Sequence, residues 1–144
     1  MSNSKKVSII TASFNNIKTI NDTLFSILNQ SYTNIEFIII DGCSKDGTLD
    51  AIKKREPEFK TKFNSYKIIS EKDNGIADAW NKGLKLATGD IVFFLNSDDW
   101  ISSKTVQKAV DCLNVNKLEL VYGIWNRVDE EKNSIGSFQK KYTK

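Results

Sequence analysis

The hydrophobic pattern centres on one short apolar run, Ile91–Leu95, which follows Gly89 and Asp90 and precedes a polar cluster. Five residues are too few for a helix, and an unbroken apolar run of this length is typical of a strand buried on both faces of a sheet. The run leads into two adjacent carboxylates, Asp98 and Asp99. Because a desolvated charge needs a partner, these acids are not expected to be packing residues. They indicate a binding role at the carboxyl end of the strand.

On both sides of this run, apolar segments that predict strands alternate with patterns that predict helices. The predicted strands are Lys6–Thr11, Ile35–Asp41 and Tyr66–Ser70. Apolar positions recur at helical spacing in four segments: Ile17, Ile20, Leu24, Ile27 and Leu28; Leu49 and Ile52; Ile76, Trp80, Leu84 and Ala87; and Val106, Ala109, Val110 and Leu113. Asn15 or Asn16 is a plausible N-cap of the first helix. Pro57 predicts a break or a kink in the second helix before Phe59.

The C-terminal part predicts a different arrangement. Leu118–Val128 is expected to form a strand, and Ile135–Phe138 is expected to return beside it through the acidic turn 129–133. The order βαβαβαβα followed by a hairpin predicts an α/β protein, with a mostly parallel sheet, helices on both faces and a C-terminal hairpin. In such sheets ligands bind at the carboxyl ends of the strands. The polar loops 13–15, 41–46, 73–75 and 96–99 should therefore share one rim.

The composition limits the possible chemistry. A chain of 144 residues with 40% hydrophobic and 27% charged residues predicts one globular domain spanning residues 1–144. The net charge of +3 gives no reason to expect a nucleic acid partner, and no run is long enough for a membrane span. Without a signal-peptide pattern, the expected location is the cytoplasm, either free or peripheral at the membrane. Because histidine is absent and Cys43 and Cys112 are too few for a zinc site, carboxylates remain as the candidate chemistry.

Two interpretations of Asp98 and Asp99 remain open at this point. The acids could cap a helix N-terminus, where negative charge is favourable. Alternatively they could hold Mg²⁺ or Mn²⁺ together with phosphate oxygens, since these hard cations prefer oxygen ligands. The additional acids at other strand ends favour the cation site.

The loop that follows the second predicted strand has the glycine spacing of a phosphate-binding P-loop, between Gly42 and Gly47. The lysine that should follow the second glycine is missing, and Thr48 stands there instead. Without this lysine the γ-phosphate has no cation, so a P-loop NTPase is rejected.

Taken together, the motifs resemble those of family 2 inverting glycosyltransferases, which have the Rossmann-like GT-A fold. The resemblance extends from about Val7 to Trp100. The segments that carry it, in order, are Val7–Asn15, Ile39–Thr48, Asp73–Gly75, Asn81–Gly83, Ala87–Asp90 and Leu95–Asp99.

The resemblance implies a role for particular residues. Thr11, Ser13, Phe14 and Asn15 would hold the nucleoside, with Phe14 against the base. Asp41 would accept a hydrogen bond from the base, and Asp73, with Gly75, would lie beside the base or ribose. Asp98 and Asp99 resemble the DXD motif, in which Asp99 would bind the metal and Asp98 would contact the ribose or the donor sugar and assist at the metal.

The sequence also departs from the family pattern. Asn96 stands where many members have Asp, which reduces the negative charge, and Trp80 stands where many have Arg. Asp78 and Asn81 could contact the donor in its place. The family's catalytic base is an acid further downstream, whereas Asp129 and its acidic neighbours lie in a predicted hairpin turn. No residue of this chain is therefore assigned as the base.

The sequence thus predicts the nucleotide-sugar-binding part of a glycosyltransferase, truncated before its acceptor-binding part. The donor would be a UDP-sugar with Mn²⁺ or Mg²⁺, and the acceptor a saccharide or lipid-linked saccharide. The fragment is expected to bind donor without turnover, and a truncated apolar edge could cause self-association. The main alternative is a non-catalytic nucleotide-binding or regulatory domain. A phospho-acceptor receiver domain is disfavoured, because Ser13 and Asn15 stand where its acid pair would be.

Overall fold

The computed structural model describes residues 4–117 and 119–138. The chain divides into two compact units, one ending at Gln107 and the other beginning at Lys108. The prediction of a single domain over residues 1–144 remains a prediction. Within the described ranges, no helix is both long enough and apolar enough to cross a membrane.

The first unit consists of alternating strands and helices. In chain order these are β1 Val7–Ser13, α1 Ile20–Leu28, β2 Ile35–Asp41, α2 Thr48–Lys54, α3 Glu56–Lys62, β3 Ser65–Ser70, α4 Ile76–Leu86 and β4 Ile91–Phe94. Helix α5, Thr105–Asn116, begins at its end. The four strands form one sheet in the order β3-β2-β1-β4, and every neighbouring pair is parallel. The predicted parallel α/β architecture is confirmed.

The strand register brings the carboxyl ends of three strands to one level. Ser13 at the end of β1 pairs with Asp41 at the end of β2, and Asp41 pairs with Ser70 at the end of β3. Paired residues of parallel strands project to the same face, so these three side chains are neighbours on one side of the sheet. Every residue of β1 and β2 is buried, which gives the rim a rigid base.

The two faces of the sheet are covered by different helices. Phe37 of β2 packs against Phe59 of α3, with ring centroids 4.8 Å apart. On the opposite face, Ile10, Ile38 and Ile40 form a core cluster with Ala79 of α4. Close approach of α4 depends on a glycine, because a Cβ at Gly83 would lie 2.4 Å from Ile10 Cγ2.

The structure corrects the prediction for β4. The run was expected to be buried on both faces, but Val92 and Phe94 are 39% and 40% exposed. In the described part of the chain β4 pairs with β1 and ends the sheet, so one of its edges and part of one face are uncovered. An apolar run therefore identified the strand but not its position in the sheet.

Two helix predictions can also be judged. The first helix begins at Ile20 with Thr19 as its N-cap, and neither Asn15 nor Asn16 holds that position. The prediction failed because both side chains are engaged elsewhere: Asn15 Oδ1 accepts from the Lys45 amide, and Asn16 Oδ1 accepts from the Phe14 amide. The predicted interruption by Pro57 is confirmed, since α2 ends at Lys54 and Pro57 lies in the first turn of α3.

The second unit contains the rest of α5 and the predicted hairpin. Strands β5, Trp125–Val128, and β6, Ser134–Phe138, pair antiparallel. The predicted strand from Leu118 is shorter than expected, because 119–124 carry no strand and Leu118 lies outside the described residues. The Asp129 carboxylate accepts bonds from the Asn133 amide and side chain and from the Glu131 amide, which lower its pKa and close the turn.

Candidate nucleotide-binding site

The polar loops after the first two strands are fastened to each other. The Asn15 amide donates to Ser44 Oγ over 2.9 Å, and the Lys45 amide donates to Asn15 Oδ1 over 2.9 Å. Asn15 adopts a left-handed backbone with φ of 51°, which asparagine tolerates better than most residues. The side chain of Asn15 thus holds the neighbouring loop in place, and its predicted contact with the nucleoside stays a prediction.

Asp41 lies at the centre of this rim and is fully buried. Its Oδ2 accepts hydrogen bonds from Ser70 Oγ at 2.6 Å and from the Ser44 amide at 3.1 Å. Its Oδ1 is buried and has no hydrogen-bond partner. Since buried polar atoms are almost always paired, an unpaired carboxylate oxygen at a strand end indicates a position where a ligand donor is expected.

Two hydroxyl groups on β1 share this property. Thr11 Oγ1 and Ser13 Oγ are both buried without a hydrogen-bond partner. Ser13 pairs in register with Asp41, so the two side chains project from neighbouring strands to the same face of the sheet. The structure therefore brings together three of the predicted nucleoside-binding residues in a group with unused hydrogen-bonding capacity.

Phe14 and Asp73 meet over Gly42. A Cβ at Gly42 would lie 3.1 Å from Phe14 Cδ2 and 2.8 Å from Asp73 Oδ2. Phe14 is 59% exposed, which leaves its ring available for stacking. Asp73 Oδ1 accepts a bond from the Gly75 amide at 3.0 Å, and Gly75 has a φ of 103° that suits glycine. Gly75 therefore shapes this loop through its backbone, and its predicted place beside the base or ribose stays a prediction.

Two of the predicted site residues, Asp78 and Asn81, lie on helix α4. Asp78 Oδ2 accepts a bond from the Asn74 amide at 3.0 Å, and this bond, with the charge of Lys82, lowers the pKa of Asp78. Asp78 thus supports the start of the helix, as acids in a first turn commonly do. Asn81 is exposed on the same helix. Contact of either residue with the donor stays a prediction.

The acidic loop after β4 carries the candidate metal ligands. The Asp99 amide donates to the Asn96 carbonyl at 3.2 Å, which folds the segment into a turn with Asp98 exposed. Partial desolvation and then the neighbouring charge of Asp98 raise the pKa of Asp99. Both effects disfavour a second negative charge, so a nearby cation would relieve them. Asn96 Oδ1 is another buried oxygen without a partner.

The carboxylate oxygens of this loop suit a hard divalent cation that takes its remaining ligands from a nucleotide. Over the described ranges, no group of three or more acidic, cysteine or histidine side chains could hold a metal alone. Two adjacent carboxylates with phosphate oxygens are a common arrangement for Mg²⁺ and Mn²⁺. The alternative of a helix cap is weakened, because α5 begins only at Thr105.

Sequence reasoning missed the residues that support the site. Ser70 and Ser44 hold Asp41. Thr19, the N-cap of α1, and Thr23 within α1 donate to carbonyls of the acidic loop. Ser70 could have been found from its predicted place at the end of the third strand. The two threonines gave no comparable signal, since their contacts join positions more than 70 apart in the sequence.

The fold and its rim define an α/β protein of the GT-A class, with polar loops gathered at the carboxyl ends of a parallel sheet. The sequence model of "Glycosyl transferase family 2" matches residues 8–143. The chain therefore belongs to glycosyltransferase family 2.

Curated glycosyltransferases match two thirds or more of this chain. UDP-Glc:alpha-D-GlcNAc-diphosphoundecaprenol beta-1,3-glucosyltransferase WfaP of Escherichia coli is 43% identical over 102 residues, which cover 68% of this chain and 38% of WfaP. Poly(ribitol-phosphate) beta-N-acetylglucosaminyltransferase TarP of Staphylococcus aureus is 33% identical over 123 residues, which cover 83% of this chain and 36% of TarP. The chain thus spans well under half the length of these two relatives.

Solved structures show the same fold. Staphylococcus aureus TarS in complex with UDP-GlcNAc has a TM-score of 0.69 at 30% identity, and the match covers 78% of this chain and 32% of TarS. The mannosyltransferase PcManGT from Pyrobaculum calidifontis, in complex with GDP-Man and Mn²⁺, has a TM-score of 0.68 at 28% identity, covering 78% of this chain and 33% of that enzyme. The predicted fold class and family are confirmed.

Proposed function

We propose that this chain is the donor-binding part of a glycosyltransferase that moves a sugar from a nucleoside diphosphate to an acceptor hydroxyl with inversion. The observation that carries the proposal is the buried Asp41 with one unpaired oxygen, at the same rim as the acidic loop. A base donor at Asp41 and a diphosphate at Asp98 and Asp99 would place one nucleotide across the carboxyl ends of the strands. Thr11, Ser13, Phe14 and Asp73 would surround its nucleoside.

We propose UDP as the nucleotide. Uracil offers an imide N–H, and a carboxylate oxygen without a partner is a matching acceptor. TarS is known in complex with UDP-GlcNAc, and WfaP is named for UDP-Glc, which supports the choice. PcManGT in complex with GDP-Man indicates that the fold also accepts another nucleotide.

The acidic loop would act on the leaving group. Breaking a glycosyl–phosphate bond places negative charge on the departing diphosphate, and a bound Mn²⁺ or Mg²⁺ would supply a positive charge there. Asp99 would hold the cation, with Asp98 turned towards the cation, the ribose or the donor sugar. Their mutual repulsion, which contributes to the raised pKa of Asp99, favours occupation of this loop by a cation.

The chain itself is proposed to bind the donor without transferring the sugar. Inversion needs a base within about 2.6–3.2 Å of the acceptor hydroxyl, on the face opposite the diphosphate. The acids assigned to the rim belong to the nucleotide side, and Asp129 is engaged in its own turn. A base from another part of a longer protein would complete the enzyme. If no such base exists, the chain is a non-catalytic nucleotide-binding domain.

Calorimetry with UDP tests the proposal. UDP should bind the chain, and Mn²⁺ should strengthen the binding. Asp99→Ala should remove the gain from Mn²⁺ without changing metal-free binding, while Asp129→Ala serves as a control that preserves the gain. An equal gain from Mn²⁺ in Asp99→Ala would refute the assignment of the metal ligand. A radiolabelled transfer assay with this chain should show no turnover, and transfer by the chain alone would refute the proposed lack of a base.

The remaining features of the proposal concern acceptor and location. The acceptor would be a saccharide or lipid-linked saccharide in polysaccharide biosynthesis, as the diphosphoundecaprenol in the name of WfaP suggests. The site would then work in the cytoplasm or peripherally at the membrane.

Self-association is proposed through the uncovered edge of β4. Val92 and Phe94 are about two-fifths exposed, and Phe94 lies 5.2 Å from Trp80 between ring centroids. Apolar strand edges of this kind are prone to pair with another chain. Sedimentation should therefore reveal oligomers that Val92→Lys reduces, and a monomer at all concentrations would refute this part.

A further inference from the structure

Helix α1 holds the segment that follows β4 at several points. Thr19 Oγ1 donates to the Ser97 carbonyl over 3.0 Å, and Thr23 Oγ1 donates to the Asp99 carbonyl over 2.8 Å. Near the end of the helix, Gln30 Nε2 donates to the Ser102 carbonyl over 2.8 Å. The acidic loop therefore lies along α1 instead of being held only by its own strand.

The two threonine hydroxyls bind backbone carbonyls at and next to the candidate metal ligands. They stand four residues apart and so share one face at the start of α1. The carbonyls that they bind flank Asp98, and one of them belongs to Asp99 itself. Thr23 is fully buried, so its hydroxyl has few alternative partners and its rotamer is restricted by packing.

We infer that Thr19 and Thr23 are positioning residues, which fix the backbone on both sides of Asp98 so that the two acids point at the diphosphate and its cation. This inference rests on the proposed function. Neighbouring carboxylates repel each other, so a loose loop would relax by separating them. Hydroxyl bonds to the backbone oppose this movement without using either carboxylate, which leaves the carboxylate oxygens free for a ligand. A site held in advance in this way loses less entropy when it binds.

The chain offers matched variants for a test. Thr23→Val removes the hydroxyl and keeps the branched shape, whereas Thr23→Ser keeps the hydroxyl. Ser26→Ala is the control, because Ser26 is also buried on α1 but its hydroxyl donates to the Thr23 carbonyl within the helix. Two measurements are made on each variant: hydrogen exchange of peptides covering residues 97–99 without ligand, and UDP affinity with EDTA or with Mn²⁺.

In Thr23→Val, exchange across 97–99 should accelerate, and the gain in UDP affinity from Mn²⁺ should fall about fivefold, as expected for one lost hydrogen bond. UDP affinity in EDTA should stay within about twofold, because the nucleoside contacts are elsewhere. Thr23→Ser should restore the gain, and Ser26→Ala should preserve it even if its melting temperature falls.

Other results would overturn the inference. An unchanged gain from Mn²⁺ in the double variant Thr19→Val/Thr23→Val would show that the hydroxyls do not position the acids. A parallel loss of affinity with and without Mn²⁺ would show a general structural role. If the unaltered chain gains nothing from Mn²⁺, the proposed metal dependence fails, and the exchange data alone decide whether the threonines order the loop.

Discussion

Replacement of Asp41 by Asn should weaken UDP binding while preserving the fold. The side chain keeps its shape, but one of its two oxygens becomes an NH₂ group. The carbonyl oxygen of Asn can take the place of Oδ2 and still accept from Ser70 Oγ and the Ser44 amide. The NH₂ group then occupies the place of Oδ1, which has no partner in the structure. A donor would thus face the imide N–H of uracil.

The magnitude follows from the type of bond that is lost. Hydrogen bonds to charged groups contribute about 1.5–3 kcal/mol, which corresponds to an increase in the dissociation constant for UDP of roughly 10- to 150-fold. Asp41→Ala would be a less specific change, since it would also leave two donors around a fully buried position unpaired. Asn is therefore preferred, because it isolates the character of a single atom.

Calorimetry with two nucleotides makes the experiment specific. Cytosine carries an acceptor where uracil carries its imide N–H, so Asp41→Asn should bind CDP better relative to UDP than the unaltered chain does. The gain in affinity from Mn²⁺ should be unchanged, because the acidic loop is not altered. An unchanged ratio of CDP to UDP affinity, in a variant that melts at the original temperature, would refute the role of Asp41 in reading the base.

Two further predictions concern the support of the site. Gly42→Ala should weaken UDP binding with little change in melting temperature, because the new Cβ would displace Phe14 and Asp73 at the rim; equal UDP affinity in calorimetry would contradict this. Burial opposes the charge of Glu36, but bonds donated by Ser8, Thr88 and Lys67 outweigh it and hold its pKa at about 2, below the ordinary 4.5. Because the folded pKa is the lower one, stability should be complete above about pH 4.5 and fall by about 3 kcal/mol as the pH drops towards 2; urea unfolding should show a weaker acid dependence in Glu36→Gln.

The alternation of strands and helices could be predicted because the pattern is local. Buried parallel strands are continuous apolar runs, and β2 matched its predicted bounds, Ile35–Asp41. The position of β4 at the end of the sheet could not be predicted, since an apolar run does not reveal whether a second neighbour exists. Phe94 packs against Trp80 of α4, and the exposed parts of Val92 and Phe94 are the surface assigned to the proposed self-association.

The candidate site could be predicted in outline because the topology gathers loops without help from side chains. Parallel strands carry their carboxyl ends to one edge, so the polar loops had to meet there. The supporting residues were not predictable in the same way. Thr23 is a polar residue on an apolar helix face, and only the fold shows that its hydroxyl faces the Asp99 carbonyl.

The hydrogen-bond pattern separates two kinds of polar residue at the rim. In the first kind, side-chain oxygens accept hydrogen bonds from backbone amides of the loops, as in Asn15, Asp46, Asp78 and the Oδ1 atom of Asp73. The other kind is buried with at least one polar atom unpaired: Thr11, Ser13, Asp41 and Asn96.

Each unpaired atom of the second kind costs about 1–3 kcal/mol in the absence of a partner. Tyr66 and Trp80 also have an unpaired polar atom each, but both side chains belong to aromatic packing. The unpaired atoms of Thr11, Ser13, Asp41 and Asn96 instead lie at or near the carboxyl ends of three neighbouring strands. A ligand that supplies hydrogen-bond donors at this edge would satisfy the carboxylate, amide and hydroxyl oxygens that are unpaired there. Because a nucleoside supplies base and ribose donors, while a cation needs only oxygens, the same arrangement suits a nucleotide that arrives with its metal.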